Sequence, residues 1–437
     1  MIKIQTTKEQ IESKGGLLLA GKVAIKAGLR AIKSKALNCA GTVIISIFAL
    51  MTECKSDFES MKEKRDSQFF REVLGIDYVY SQDTIRLYLE KIAEDPDEII
   101  GQLRESSTKI IKEGPLHGIW IENRHYLPVD IDTVAMNNSK TKKEGVSRTY
   151  RGFDGYHPII AYVGKEGYML DCELRPGSQH CQNGTPAFIS GLMEPLKQIK
   201  SGGRFLFRLD SGNDAWETLE TIVSAGKEYY CIVKRNNRSE NLRKWLEIAE
   251  KEGVMTEPRK GKKVWVGKTQ NIHPKKKKEN ISEIDCVYEV IQRETDKKGE
   301  KYLIPDLEVN LWWTNLSCSA EKVIDLYHNH ATSEQFHSEL KNDMDIERLP
   351  SGKFAVNKIL LAIAMNAYNT LRVLGQMSIE TETRSTHKRK RLGKVISDII
   401  CIAGKFVKHA RSLEFKICEK NPILPVFIRL NQALDSP

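Results

Sequence analysis

Between about residues 117 and 235 the chain interleaves short apolar runs of period two with stretches of helical period, and no other feature restricts its fold so strongly. HYLPVDID (125–132) reads as a strand ending in acids, and HPIIAYVG (157–164) with YMLDCEL (168–174) as a hairpin around Lys165-Glu166-Gly167. Thr185–Ile199 is expected to be a helix. RFLFRLD (204–210) follows as a strand, after which Ser211-Gly212 turns the chain into a helix running to about Ala225, and EYYCIVKR (228–235) is another strand. Strands alternating with helices in this order predict an α/β layer.

The flanks differ. Residues 1–115 are expected to form a helical N-terminal region with a DNA-binding role. Asp57 through Leu74 has helical spacing, Gly75 is a stop, and Ser81 or Asp83 caps the next helix. Helix, short loop, capped helix fits helix-turn-helix DNA binding and an ordinary bundle equally. The α/β layer is expected to occupy 116–235, a basic β-rich insertion 236–310, the second part of the layer 311–375, and a basic helical tail 376–437. LWWTNL (311–316) reads as a buried strand, 323–342 as a polar-striped helix, and 355–374 as an apolar one.

The net charge of +10 favours a polyanionic partner mainly through its distribution. Residues 255–279 hold nine Lys/Arg against Glu257 and Glu279, and 384–411 hold nine against Asp398 alone. Such runs attract phosphates or form solvated faces. Nine scattered cysteines without a CxxC pair exclude a zinc ribbon and a disulfide scaffold. The apolar run Thr42–Met51 is too short to span a bilayer and reads as a core helix. The expectation is a soluble, cytoplasmic protein with no membrane role.

Within 323–342, Tyr327, His330, Glu334 and Lys341 stand at i, i+3, i+7 and i+14, within a sector about 60° wide on a regular helix. Glu339 falls about 120° away from Tyr327, and Glu321 precedes the helix, so Glu334 is the acid of that face. Asp132 and Asp210 each close a strand far upstream. Asp130 shares its face with Asp132, and either could be the metal ligand. Three carboxylates suit Mg²⁺ or Mn²⁺, two ions of which could drive in-line displacement at a phosphodiester. No glycine-rich phosphate loop and no HExxH is present. Trp265, Trp312 and Trp313 are candidates for holding DNA strands apart, or for buried packing.

These residues resemble bacterial insertion-sequence transposases of the DDE type, specifically the insertion sequence 1380 group, over about 75–415. The resemblance rests on DIDT (130–133), ELRPGS (173–178), RLDSGND (208–214), VKRN (233–236), WTNL (313–316) and SELKNDMDIERLPSG (338–352). The Tyr-x2-Arg-x3-Glu-x6-Lys signature falls on Tyr327, His330, Glu334 and Lys341, with His330 where arginine is usual. The resemblance implies a ribonuclease-H-like core interrupted by the insertion, with Asp132, Asp210 and Glu334 binding metal. Tyr327, His330 and Lys341 would contact DNA. It also implies cut-and-paste transposition by a nucleoid-associated enzyme, acting on double-stranded terminal inverted repeats and target DNA within a homodimeric complex. A nuclease or resolvase on the same fold, and a DNA-binding remnant without catalysis, are the alternatives.

Overall fold

The computed structural model describes residues 9–238, 240–270, 284–379, 389–409 and 412–435. The central strands are β1 (Arg124–Thr133), β2 (Ile159–Val163), β3 (Tyr168–Glu173), β4 (Phe205–Leu209) and β5 (Tyr229–Lys234). They are followed by β6 (Val254–Arg259), β7 (Lys262–Gln270), β8 (Asp285–Thr295) and β9 (Lys301–Thr314). All belong to one ten-stranded sheet in the order β6-β7-β8-β9-β5-β4-β1-β2-β3, with Ile119–Ile121 beside the start of β1. β1, β4 and β5 run parallel, β2 is antiparallel to β1, and β3 pairs antiparallel with β2.

The central strands are apolar on both sides because both sides are covered. Val129, Ile131, Phe205, Phe207, Leu209 and Cys231 enter the large core. The residues that alternate with them, including Leu206 and Ile232, meet Trp312, Val287 and Val323 in a smaller core on the opposite face.

The helices that shape the site are α1 (Ala40–Thr52), α2 (Gln82–Ile92), α3 (Pro96–Glu113), α4 (Thr185–Ile199), α5 (Trp216–Ser224), α6 (Ala320–His328), α7 (Thr332–Ser338) and α8 (Phe354–Met377). Caps set their starts. Ser81 accepts from Thr84 N–H at α2, Asp95 from Glu98 N–H at α3, and Ser319 from Lys322 N–H at α6. α8 is buried almost all round and packs against α3, α1 and β3. Its Asn369 accepts from Met169 N–H at 2.8 Å and donates to Met169 C=O at 2.7 Å, beside an irregularity in the β2–β3 ladder. α1 is buried at every residue but Thr42, as its apolar run demands. No helix among the described residues is long and apolar enough to cross a membrane.

Several expectations need revision. Asp57–Leu74 is not one helix: a 3-10 turn over Phe58–Lys64 precedes a helix at Gln68–Leu74, because Ser67 caps the latter by accepting from Phe70 N–H. The insertion joins the same sheet. Its strands extend the central sheet, and β9 runs through the expected boundary at 310 to pair with β5. The tail is not wholly helical. Gly404–Lys408 and Leu413–Ile417 form a hairpin whose Phe406 is buried, and Ile11–Glu12 adds a third strand. Helical α1 and α3 share the large core with α8, so the N-terminal region packs as part of the same body. Lys275–Lys278, the densest part of the basic run, lies outside the described residues, as does 384–388 of the tail.

Candidate active site

Strand register creates the site. Ile131 pairs with Leu209 and Val233 with Leu209, so Asp132, Asp210 and Lys234 each stand one residue further along three adjacent parallel strands. They share a face of the sheet with Asp130 and Arg208, which pair two residues earlier. Arg208 grips Asp130 in a fork, Nε to Oδ1 at 2.6 Å and Nη2 to Oδ2 at 2.7 Å, and donates through Nη1 to Leu326 C=O. His330 Nδ1 adds a contact to Asp130 Oδ1 at 3.0 Å. Burial alone would lift the Asp130 carboxyl, but Arg208 and His330 hold it below its ordinary range. Asp130 is therefore a saturated, buried member of an ion pair, and Asp132 is the acid that reaches the open cleft.

Asp132 and Asp210 behave as neighbours. Burial, followed by the charge of Asp132, raises the Asp210 carboxyl above its usual range. Its only side-chain hydrogen-bond donor among the described residues is Asn213, at 2.9 Å. Asp132 is pushed up by burial and pulled further down by His337 and His330, leaving it low. His337 Nε2 faces Asp132 Oδ2 at 3.4 Å, and the other ring nitrogen lies 3.1 Å from the Tyr162 hydroxyl. An uncompensated carboxylate beside a second one is the donor set that a hard divalent cation fits.

The polar stripe is present but rotated. A 3-10 turn at Asn329–Ala331 separates α6 from α7, and a π-helical turn at Glu339–Asp343 follows. Three residues at about 120° rather than 100° advance the phase by about 60°. That advance brings His337 onto Asp132 and leaves Glu334 exposed. Glu334 is not among the residues that line the cleft containing Asp132 and Asp210. Among the described residues, no three acid, imidazole or thiol side chains stand close enough together to hold a metal ion as they are. Tyr327 packs on Trp312 and His330, and burial with the charges of Asp210 and Asp132 raises its hydroxyl.

Two of the expected DNA contacts point inward. His330 is 6% exposed and engaged with Asp130, while Lys341 Nζ binds Ala135 C=O at 3.1 Å and Glu347 at 2.9 Å. Glu339 is likewise consumed, by Arg372 and Arg389. Trp265, Trp312 and Trp313 are all buried. Trp313 donates to Asp214 Oδ1 and lies under the Arg235 guanidinium at 4.7 Å, which makes it packing for the cleft wall.

The cleft itself encloses about 750 Å³. Among the described residues that line it, Asp132 and Asp210 are the only acids, and Arg148, Lys234, Arg235 and Arg238 supply positive charge. A family model for transposase DDE domain group 1 matches residues 1–436. The chain belongs to that family. It is a DDE transposase, a DNA-cleaving enzyme. No curated protein matches it. A solved piggyBac transposase synaptic complex with hairpin DNA is similar at 9% identity, covering 98% of this chain and 83% of that one, with a TM-score of 0.42. A Mos1 mariner paired-end complex with Mn is similar over 38% of this chain and 55% of that one, at 14% identity and a TM-score of 0.17.

The motif residues of this transposase build the cleft as much as they line it. Arg175 of ELRPGS is buried, bound to Glu173 and to the Cys181 carbonyl. A Cβ on Gly177 would meet Ser147 O at 2.2 Å and Gly155 O at 2.3 Å. A Cβ on Gly212 would meet Cys181 Sγ at 2.8 Å and the Asp210 carboxylate at 3.2 Å, so the acid's turn tolerates only glycine without a shift. Lys234, Tyr150 and His337 were not singled out from sequence. Lys234 carried a signal in its place at a strand end matching those of the acids.

Proposed function

We propose that this transposase cuts element ends and joins them to target DNA at Asp132, Asp210 and Glu334. In this reading it is a member of the insertion sequence 1380 group with a ribonuclease-H-like core. The observation that carries the reading is the level placement of Asp132 and Asp210 at the ends of adjacent parallel strands, inside a cleft whose other charged residues are the cations Arg148, Lys234, Arg235 and Arg238. The strand order around them, with three parallel central strands and an antiparallel hairpin, supports the core assignment.

Asp132 and Asp210 would hold the divalent metal, Mg²⁺ or Mn²⁺, and Glu334 would complete the set by turning in when DNA and metal are bound. Bound ions would supply Lewis acidity for in-line displacement at the phosphodiester. Lys234, Arg148 and Arg238 counter phosphate charge at the cleft. The Asp130–Arg208–His330 ion pair fixes the height of the acid-bearing strands, and His337 holds the Asp132 carboxylate. Double-stranded terminal repeats and target DNA are the substrates, handled by a homodimer.

The test is cleavage of end-containing DNA with Mn²⁺ by the full chain. Asp210→Asn abolishes the cut and leaves salt-sensitive binding near wild type. Wild-type rates in that variant would refute the assignment. The exposure of Glu334 favours one second reading, a DNA-binding remnant without catalysis. Tight binding with no cut at any Mn²⁺ concentration would establish it.

A further inference from the structure

We propose that Tyr150 is a stacking platform for an unpaired nucleobase beside the acids. The proposal deepens the DNA reading of the cleft and rests on it. Among the described residues, several large apolar or aromatic side chains lie open to solvent, including Tyr78, Trp120 and Tyr150. Of these, Tyr150 lines the cleft that contains Asp132 and Asp210, and it is 64% exposed.

The ring is presented deliberately by its backbone. Strand Ser147–Arg148 pairs with Asp154–Tyr156, and the intervening turn is closed by Thr149 N–H to Phe153 C=O at 2.8 Å and by Gly152 N–H to Thr149 C=O at 3.0 Å. Gly152 takes φ +80, which lets the turn project Tyr150 and Arg151 at its tip. His157 packs against the ring at 5.0 Å, from the strand side. Arg151 donates through Nε to the Tyr150 hydroxyl at 3.0 Å, its guanidinium 5.5 Å from the ring centroid. An aromatic ring held in place on a cationic rim is the arrangement on which single-stranded nucleic acid bases stack.

A base in the interior of an intact duplex has neighbours on both faces, so away from a duplex end it must be unpaired to lie on Tyr150. Arg148, in the same cleft, and Arg151, which donates to the Tyr150 hydroxyl, are placed to take the phosphates flanking that base. The stacking would then position a nucleotide next to the reacting phosphate, with little dependence on base identity.

Two probes of one sequence decide it with the full chain and no added metal: a fully paired duplex, and the same duplex with one unpaired 2-aminopurine. Tyr150→Ala is expected to weaken binding of the unpaired-base duplex roughly 5- to 100-fold, to abolish quenching of its fluorescence, and to leave the paired duplex within about twofold. Tyr150→Trp keeps the quenching. Equal weakening of both probes, or quenching that survives Tyr150→Ala, would overturn the proposal. Absence of Mn²⁺-dependent cleavage in the wild type would refute the catalytic reading instead, and the quenching comparison would still stand.

Discussion

His330 Nδ1 lies 3.0 Å from Asp130 Oδ1, on a carboxylate that Arg208 already grips through its other donors. The imidazole, at the position where the sequence resemblance leads one to expect arginine, thus closes a buried charge cluster.

This contact makes stability depend on pH. Burial lowers the imidazole pKa, but Asp130 outweighs it and the net shift is upward. A raised histidine favours the fold fully below the unfolded value of about 6.5 and loses that contribution as pH rises through the folded value. The melting temperature should therefore fall on going from mildly acidic to alkaline buffer, and His330→Gln should flatten that slope. An unchanged slope in the variant would show that His330 is not the titrating group.

Asp210 has the opposite character. Its carboxyl is raised, so its ionised form opposes folding above the unfolded value near 4. Asp210→Asn should stabilise the metal-free protein at neutral pH by about 1 kcal/mol. The same variant should lose the upward shift in melting temperature that Mn²⁺ gives the wild type. A full Mn²⁺ shift in the variant would remove Asp210 from the metal set.

Gly212 separates the acid's geometry from the fold. An alanine methyl there meets Cys181 Sγ and both Asp210 oxygens. We expect Gly212→Ala to destabilise by about 1–3 kcal/mol and to reduce cleavage at least tenfold. Circular dichroism should be unchanged. Wild-type cleavage would mean that the turn relaxes freely.

Asn369 tests the scaffold. Its side chain satisfies both backbone groups of Met169 and donates to Ser107 Oγ at 2.8 Å, all in the core. Asn369→Ala should lower unfolding free energy by about 2–4 kcal/mol in urea titrations, because buried backbone groups lose their partners. A loss below about 0.5 kcal/mol would show that water or a shift replaces them.

Much of the layer was readable because local pattern decides it. The runs ending at Asp132 and Asp210 are apolar enough for buried parallel strands, and they are strands. What puts Asp132 level with Asp210 is register between segments far apart in sequence, which composition does not encode. The choice between Asp130 and Asp132 turned on Arg208, two residues before Asp210, and appeared only once the strands were paired. The stripe was counted at a constant 100° per residue, so the phase change at the 3-10 turn Asn329–Ala331 concealed the place of His337 beside Asp132. The tail hairpin was hidden because Lys408, Leu413, Glu414 and Lys416 are exposed, and Phe406, with Phe415 partly buried against Phe69, supplies too little apolar signal for a strand.

β9 spans Lys301–Thr314, about 46 Å of extended chain at the usual rise. One end holds Leu303, fully open to solvent, and the other ends beside β5 and the Trp313–Asp214 contact on the cleft wall. The basic wing is consequently a lever arm with its fulcrum at the catalytic strands. Torque applied inside the irregularity near Arg293 would be delivered, through the continuous ladder from Arg293 and Asp306 to Asp285 and Thr314, to the cleft wall.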